Sequence, residues 1–136
     1  MERIQLFSKM KIRHITWQEF DEAVAKFPKP IGDGFYAIPR GGLCLAVALS
    51  HRFDKPILSS PTKLSIFVDD IVDSGRTLAK MRLRYGGLPC FALVKRASCN
   101  ERAINYIWEM KDEDWIVFPW ENKDKVKDDY EKYISR

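Results

Sequence analysis

An α/β fold, a parallel sheet flanked by helices, is predicted by three features of the sequence. Short apolar runs of strand length alternate with helix-length segments, and one strand-to-helix junction is an Arg-Gly-Gly turn while another carries Ser-Gly-Arg-Thr. The chain of 136 residues, 46% hydrophobic and 31% charged, falls in the size and composition class of one globular core.

The elements follow in order. Thr16-Trp17-Gln18-Glu19 has the form of a capping box, and Phe20, Val24 and Phe27 continue an apolar face at helical spacing, so a first helix is expected from Trp17 to Lys26. Pro28 and Pro30 stop it, and Gly32 and Gly34 turn the chain into Phe35-Tyr36-Ala37-Ile38, which reads as a buried strand. After Pro39-Arg40-Gly41-Gly42, the Ala- and Leu-rich stretch Leu43 to Phe53 reads as a helix packed on a sheet, the opening of a βαβ unit. The pattern repeats with a strand at Leu64 to Val68, a polar loop at Asp69 to Arg76, a helix at Thr77 to Tyr85 and a strand at Pro89 to Val94. Ile104 to Trp108 and Trp115 to Phe118 are further strand candidates, the first also compatible with a helix on periodicity alone. A single domain is expected, with a core at about 15–95, a hood at about 96–121 and a charged tail at 122–136. From Glu121 to Arg136 there are five acidic and five basic side chains, which read as a solvated helix or frayed end.

The net charge of +4 permits polyanionic partners, but no basic run is interleaved with aromatics, so nucleic acid is not expected as a ligand. Cys44, Cys90 and Cys99 are odd in number and form no CxxC pair, which argues against a disulfide framework and a zinc site and for a reducing cytoplasm. No apolar stretch approaches a membrane span, and Met1 to Arg13 lacks the continuous apolar core of a signal peptide. His14 and His51 lie in no motif and read as structural or surface residues.

Chemistry concentrates in Ile66-Phe67-Val68-Asp69-Asp70-Ile71-Val72-Asp73-Ser74-Gly75-Arg76-Thr77. An apolar strand delivers two adjacent carboxylates to its end, and a third is followed by Ser-Gly-Arg-Thr where a helix starts. Backbone N–H groups at a helix N-terminus, with the hydroxyls of Ser74 and Thr77, suit a phosphate monoester, and Gly75 lets the backbone come close. Carboxylates beside that cradle would repel phosphate, so they suit sugar hydroxyls or a divalent cation. Together these describe a ribose 5-phosphate. Taken singly, each aspartate also suits a helix-capping role. Pro39-Arg40-Gly41-Gly42 offers backbone N–H groups and a guanidinium to a pyrophosphate, although an Arg-Gly-Gly turn alone is more often an ordinary strand-to-helix turn. Lys95 ends a strand, and Asp114-Trp115-Ile116-Val117-Phe118-Pro119-Trp120-Glu121 follows. A lysine donor and a planar aromatic suit a 6-oxopurine, while Trp115 and Trp120 also suit core or interface packing; for Trp120 packing is the expectation.

These motifs resemble the type I phosphoribosyltransferase family, whose phosphoribosyl pyrophosphate (PRPP) loop is a strand ending in two acids followed by Asp-Thr-Gly-x-Thr; Ser74 replaces the usual Thr and keeps its hydroxyl. The resemblance implies that Asp69 and Asp70 bind the ribose hydroxyls and approach Mg²⁺, that Asp73 is the general base, and that Ser74, Gly75, Arg76 and Thr77 hold the 5-phosphate. It further implies that Arg40, Gly41 and Gly42 bind pyrophosphate, with a cis peptide at Pro39–Arg40. The Lys95 and Trp115 arrangement is similar to that of bacterial members that take guanine, xanthine or hypoxanthine in purine salvage. By that likeness Lys95 contacts the purine O6, Trp115 stacks and the Ile116 backbone meets the purine edge. Homodimers or homotetramers are also implied. Relatives insert a long flexible hairpin after the second strand as a lid; here only Asp54 to Lys63 stands in its place. That short connection keeps a second function open, a regulatory module that binds PRPP or a nucleotide without catalysis.

Overall fold

The computed structural model describes residues 11–86, 89–111, 113–125 and 131–132. The first ten residues and parts of the charged tail, 126–130 and 133–136, lie outside them. Along the described residues the elements run in the order β1 (Lys11–His14), α1 (Trp17–Lys26), β2 (Gly34–Ala37), α2 (Leu43–Phe53), β3 (Ser65–Val72), α3 (Arg76–Tyr85), β4 (Cys90–Arg96), β5 (Ile104–Met110) and β6 (Asp114–Val117). Strands β2-β3-β4-β5 form a four-stranded sheet in that order, and β1 pairs with β6 in a separate two-stranded one. Every pairing is parallel.

The capping box forms as expected: Thr16 Oγ1 accepts from Glu19 N–H at 3.0 Å, and Glu19 Oε1 accepts from Thr16 N–H at 3.1 Å. At the other end of α1, the Arg52 guanidinium of α2 donates to the Phe27 carbonyl at 2.7 Å and also to that of Val24. Carbonyls at a helix terminus lack intrahelical partners, so this arginine both satisfies them and locks α1 onto α2. Phe20, Ala23, Val24 and Phe27 meet Leu45, Ala46 and Leu49 of α2 and Ile66, Val68, Phe91 and Leu93 of the sheet in the main core. A second cluster, Phe67, Val72, Leu78, Cys90, Ala92 and Cys99, lies where α3 packs on the sheet.

Strand β3 corrects one expectation. Asp69 to Val72 is strand, not loop, because parallel pairing with β4 runs on through Ile71↔Val94 and Val72↔Lys95. Phe67 and Val72 nonetheless share the α3 cluster, while Ile66, Val68 and Ile71 pack in the main core. The pairing with β4 keeps the same offset from Phe67↔Cys90 through Asp69↔Ala92 to Val72↔Lys95, so no residue is inserted in the strand at Asp69-Asp70. There Asp69 Oδ1 accepts from Asp70 N–H at 2.9 Å and Asp70 Oδ1 from Ile71 N–H at 2.7 Å, carboxylates serving backbone donors within the strand itself.

The β4 to β5 crossover spans only residues 97–103. Parallel neighbours usually need a dozen or more residues and a helix. This segment instead returns in place of a helix, clasped by Arg82 of α3, which donates to Glu101 Oε2 at 3.0 Å and to the carbonyls of Arg102 and Ala103 at 2.6 and 2.8 Å. The connection from α2 to β3 is likewise tied down: Phe35 N–H donates to Pro56 O at 2.9 Å and Leu58 N–H to Phe35 O at 2.8 Å, so it runs along the start of β2. Strand β1 gives no periodic signal, since all four of its residues are exposed and only pairing with β6 makes it a strand. Among the described residues no helix is long and apolar enough to cross a membrane.

Candidate active site

The carboxyl ends of β2, β3 and β4 lie side by side, the usual place for ligands in an open parallel sheet. Two cavities share this edge. One, about 160 Å³, is lined by Asp69, Asp73, Ser74, Gly75, Arg76 and Thr77 with Ile38 and Leu78. Gly75 makes it possible: at φ 84° it sits in the left-handed region, and an added Cβ would lie 2.5 Å from the Glu101 side chain and 3.2 Å from Cys99 Sγ. Arg76 N–H donates to Ser74 Oγ at 3.3 Å, folding the loop where α3 begins.

The other cavity, about 940 Å³, is lined by Arg40, Gly41, Asp70, Trp120 and Glu121 among others. The Pro39–Arg40 peptide is cis, as expected. Gly42 is required by close approach, since a Cβ there would lie 2.3 Å from the Val68 carbonyl oxygen. A Cβ on Gly41 would meet Asp70 Oδ2 at 2.4 Å, which shows how closely that carboxylate faces the loop. The two adjacent acids are thus divided, Asp69 toward the Ser74–Thr77 loop and Asp70 toward Arg40 and Gly41.

Asp73 is half-buried and forms an ion pair with Arg96, whose Nε lies 2.8 Å from Asp73 Oδ1. Arg96 is 2% exposed and also donates to the Lys111 carbonyl at 3.0 Å, tying the acid to the turn before β6. The sequence carried no sign of this residue beyond its place after Lys95. Lys95 Nζ donates to the Cys99 carbonyl at 3.3 Å, lies 3.7 Å from Glu109 Oε1 and sits 5.4 Å from the centre of the Tyr106 ring. Trp115 is half-buried opposite Ile12 in the hood sheet, and Ile116 is buried in the main core. Neither cavity is lined by Lys95, Trp115 or Ile116. Trp120 stacks on Phe118 at 4.8 Å and meets Phe20 edge-on at 5.4 Å, so it packs as expected and yet lines the larger cavity as well.

Burial, and then the Asp70 charge, push the Asp69 carboxyl from its ordinary 3.8 up to about 8. The folded state therefore binds this proton more tightly than the unfolded chain, so its contribution weakens stability as pH rises from about 4 to about 8 and is constant above. Asp69→Asn is expected to melt at the same temperature as wild type below about pH 4. Its advantage should grow through that window and level off beyond pH 8. Thermal melts of the metal-free proteins at half-unit pH steps check this; a pH-independent difference would contradict it. Burial raises the thiols of Cys44 and, to about 12, Cys90, with Asp70 and Asp69 adding to it respectively, so neither supplies a thiolate.

Among the described residues no three His, Cys, Asp or Glu side chains converge as a metal cage. Asp69 and Asp70 nevertheless offer the two carboxylates that Mg²⁺ takes when substrate phosphates complete its shell, and a cation would offset the Asp70 charge, the second cause after burial that raises Asp69. The residues present fit Mg²⁺ arriving with a phosphorylated ligand.

The fold is that of a type I phosphoribosyltransferase. No family model matches the chain. A purine phosphoribosyltransferase from Pyrococcus horikoshii superposes with a TM-score of 0.68 at 26% identity, covering 83% of this chain and 95% of that one. The xanthine-guanine-hypoxanthine phosphoribosyltransferase of Helicobacter pylori gives the same TM-score at 19% identity, covering 92% and 99%. In sequence the chain resembles the bacterial xanthine-guanine phosphoribosyltransferases: that of Vibrio vulnificus is 25% identical over 134 aligned residues, spanning 79% of this chain and 87% of the relative.

Proposed function

We propose that this protein transfers the ribose 5-phosphate of PRPP to a 6-oxopurine (guanine, xanthine or hypoxanthine) and releases pyrophosphate. The observation that carries the reading is the meeting, at one sheet edge, of the Ser74–Thr77 loop with Asp69 and Asp73 and of the cis Pro39–Arg40 loop with Asp70. The 5-phosphate belongs on Ser74, Gly75, Arg76 and Thr77, the ribose hydroxyls on Asp69 and Asp70, and the pyrophosphate on Arg40, Gly41 and Gly42. Bound Mg²⁺ supplies neutralising charge for the departing pyrophosphate. As the anomeric carbon gains positive charge, the Asp73 carboxylate stabilises it and accepts the proton leaving the purine nitrogen. Arg96 keeps that carboxylate oriented. Lys95 donates to the purine O6 when it releases the Cys99 carbonyl, Trp115 stacks on the base, and the Ile116 backbone meets its edge. A cytoplasmic homodimer or homotetramer goes with this reading.

Nucleotide formation from PRPP with each of the three bases is the test. Turnover on at least one supports the enzyme, and turnover on none overturns it. The Asp54–Lys63 connection, fastened along β2, favours the second reading, a PRPP- or nucleotide-binding regulator. PRPP binding in a calorimeter without turnover on any base selects the regulator.

A further inference from the structure

We propose that Arg82 and Glu101 are positioning residues for the 5-phosphate: the Arg82 guanidinium masks the Glu101 carboxylate, which backs Gly75, and so keeps the Ser74–Thr77 loop open to an anion. This rests on the proposed use of PRPP. Gly75 lies against the β4 to β5 crossover, because a Cβ added to it would meet Glu101 Cγ at 2.5 Å and Glu101 Cβ and Cys99 Sγ at 3.2 Å. The carboxylate is one bond beyond that Cγ. Left unpaired, a negative charge directly behind the loop would oppose a phosphate held by its N–H groups and hydroxyls. Arg82 meets it at 3.0 Å, and side-chain exposures of 16% for the arginine and 29% for the acid mean that solvent screens the two charges only in part. Asp73, the acid before Ser74, is matched in the same way by Arg96.

The crossover that carries Glu101 is fixed at both ends. Ala97 N–H donates to Met110 O at 2.8 Å and Cys99 N–H to Arg96 O at 3.0 Å where it starts, and Cys90 N–H donates to Ala103 O at 3.1 Å where it finishes. Arg82 adds its bonds to the Arg102 and Ala103 carbonyls at 2.6 and 2.8 Å. Arg82 stands on α3, the helix that begins directly after Gly75. The helix that opens at the phosphate loop thus also supplies the cation for the acid behind that loop.

Calorimetric binding of ribose 5-phosphate, which has the 5-phosphate and no pyrophosphate, would be measured for wild type, Arg82→Gln, Arg82→Lys, Glu101→Gln and Arg82→Gln/Glu101→Gln. Inorganic pyrophosphate with Mg²⁺ serves as the control ligand, and thermal melts follow folding. Arg82→Gln is expected to weaken ribose 5-phosphate about fivefold and to leave pyrophosphate within about twofold of wild type. Adding Glu101→Gln should restore ribose 5-phosphate to within about twofold, because it removes the charge that Arg82 masked; a purely structural clasp would not recover on losing its second member. Arg82→Lys, which keeps the cation, and Glu101→Gln alone, which keeps the stem against Gly75 and an oxygen toward Arg82, should each stay within about twofold, and these two decide if Arg82→Gln does not fold. A double variant as weak as Arg82→Gln, an equal loss of pyrophosphate, a larger shift in Arg82→Lys or Glu101→Gln, or no binding of ribose 5-phosphate by wild type would each overturn the proposal. Ribose 5-phosphate binding that follows the pair without turnover on any base would uphold it while removing the enzymatic reading.

Discussion

Asp73→Asn is expected to lower kcat by about 10²- to 10³-fold on whichever base is accepted, with KM for PRPP changing less than about threefold. Asparagine matches the volume of aspartate and keeps an oxygen toward Arg96, so the loop and its phosphate cavity should survive. In the proposed transfer, what disappears is the negative charge beside the forming oxocarbenium and the capacity to take a proton. An interaction realised only in the transition state acts on kcat rather than on ground-state binding. Steady-state kinetics with saturating PRPP and Mg²⁺ read the change directly. A kcat within fivefold of wild type would reduce Asp73 to a loop residue and leave the purine without a base at this edge.

Asp73 is also where sequence and structure divide most clearly. Its place was legible because a strand run, two acids and Ser-Gly-Arg-Thr are local patterns, and local patterns survive folding. The helix bounds Trp17–Lys26 and Leu43–Phe53 were legible for the same reason: a capping box and an apolar face are written within ten residues. What the chain did not announce depends on partners remote in sequence. Strand β1 exists because Asp114–Val117 pairs with it, not because Lys-Ile-Arg-His has any strand pattern. The continuation of β3 through Asp69-Asp70 reads as polar loop by composition, yet pairing with β4 holds it in the sheet while the carboxylates cap their own backbone. Trp120 could be assigned to packing from its aromatic character, but its second face on the larger cavity required the Pro119 turn to be seen. Arg96 is the extreme case, a charged residue at a strand end that pattern alone assigns to solvent.

Arg96→Met should therefore be the most destabilising single change at this edge, at about 3 kcal/mol. A buried guanidinium is tolerated only because it is paired, and removing one partner of such a pair typically costs about 3–5 kcal/mol. The half-exposed Asp73 can recruit water, which places the cost at the lower end. For a chain of this length that corresponds to a fall in Tm of roughly 10 °C. The Lys111 carbonyl also loses its donor, so the turn leading into β6 should loosen with it. A double-mutant cycle separates the ion pair from lost packing. If the pair is what matters, Asp73→Asn/Arg96→Met should be more stable than the sum of the single variants by at least about 1 kcal/mol, because the second change removes an acid already stripped of its counter-ion. Chemical denaturation of the four proteins at neutral pH gives that coupling. Strict additivity would show that Arg96 acts by filling space, and Asp73 would then owe its orientation to the β3–α3 loop alone.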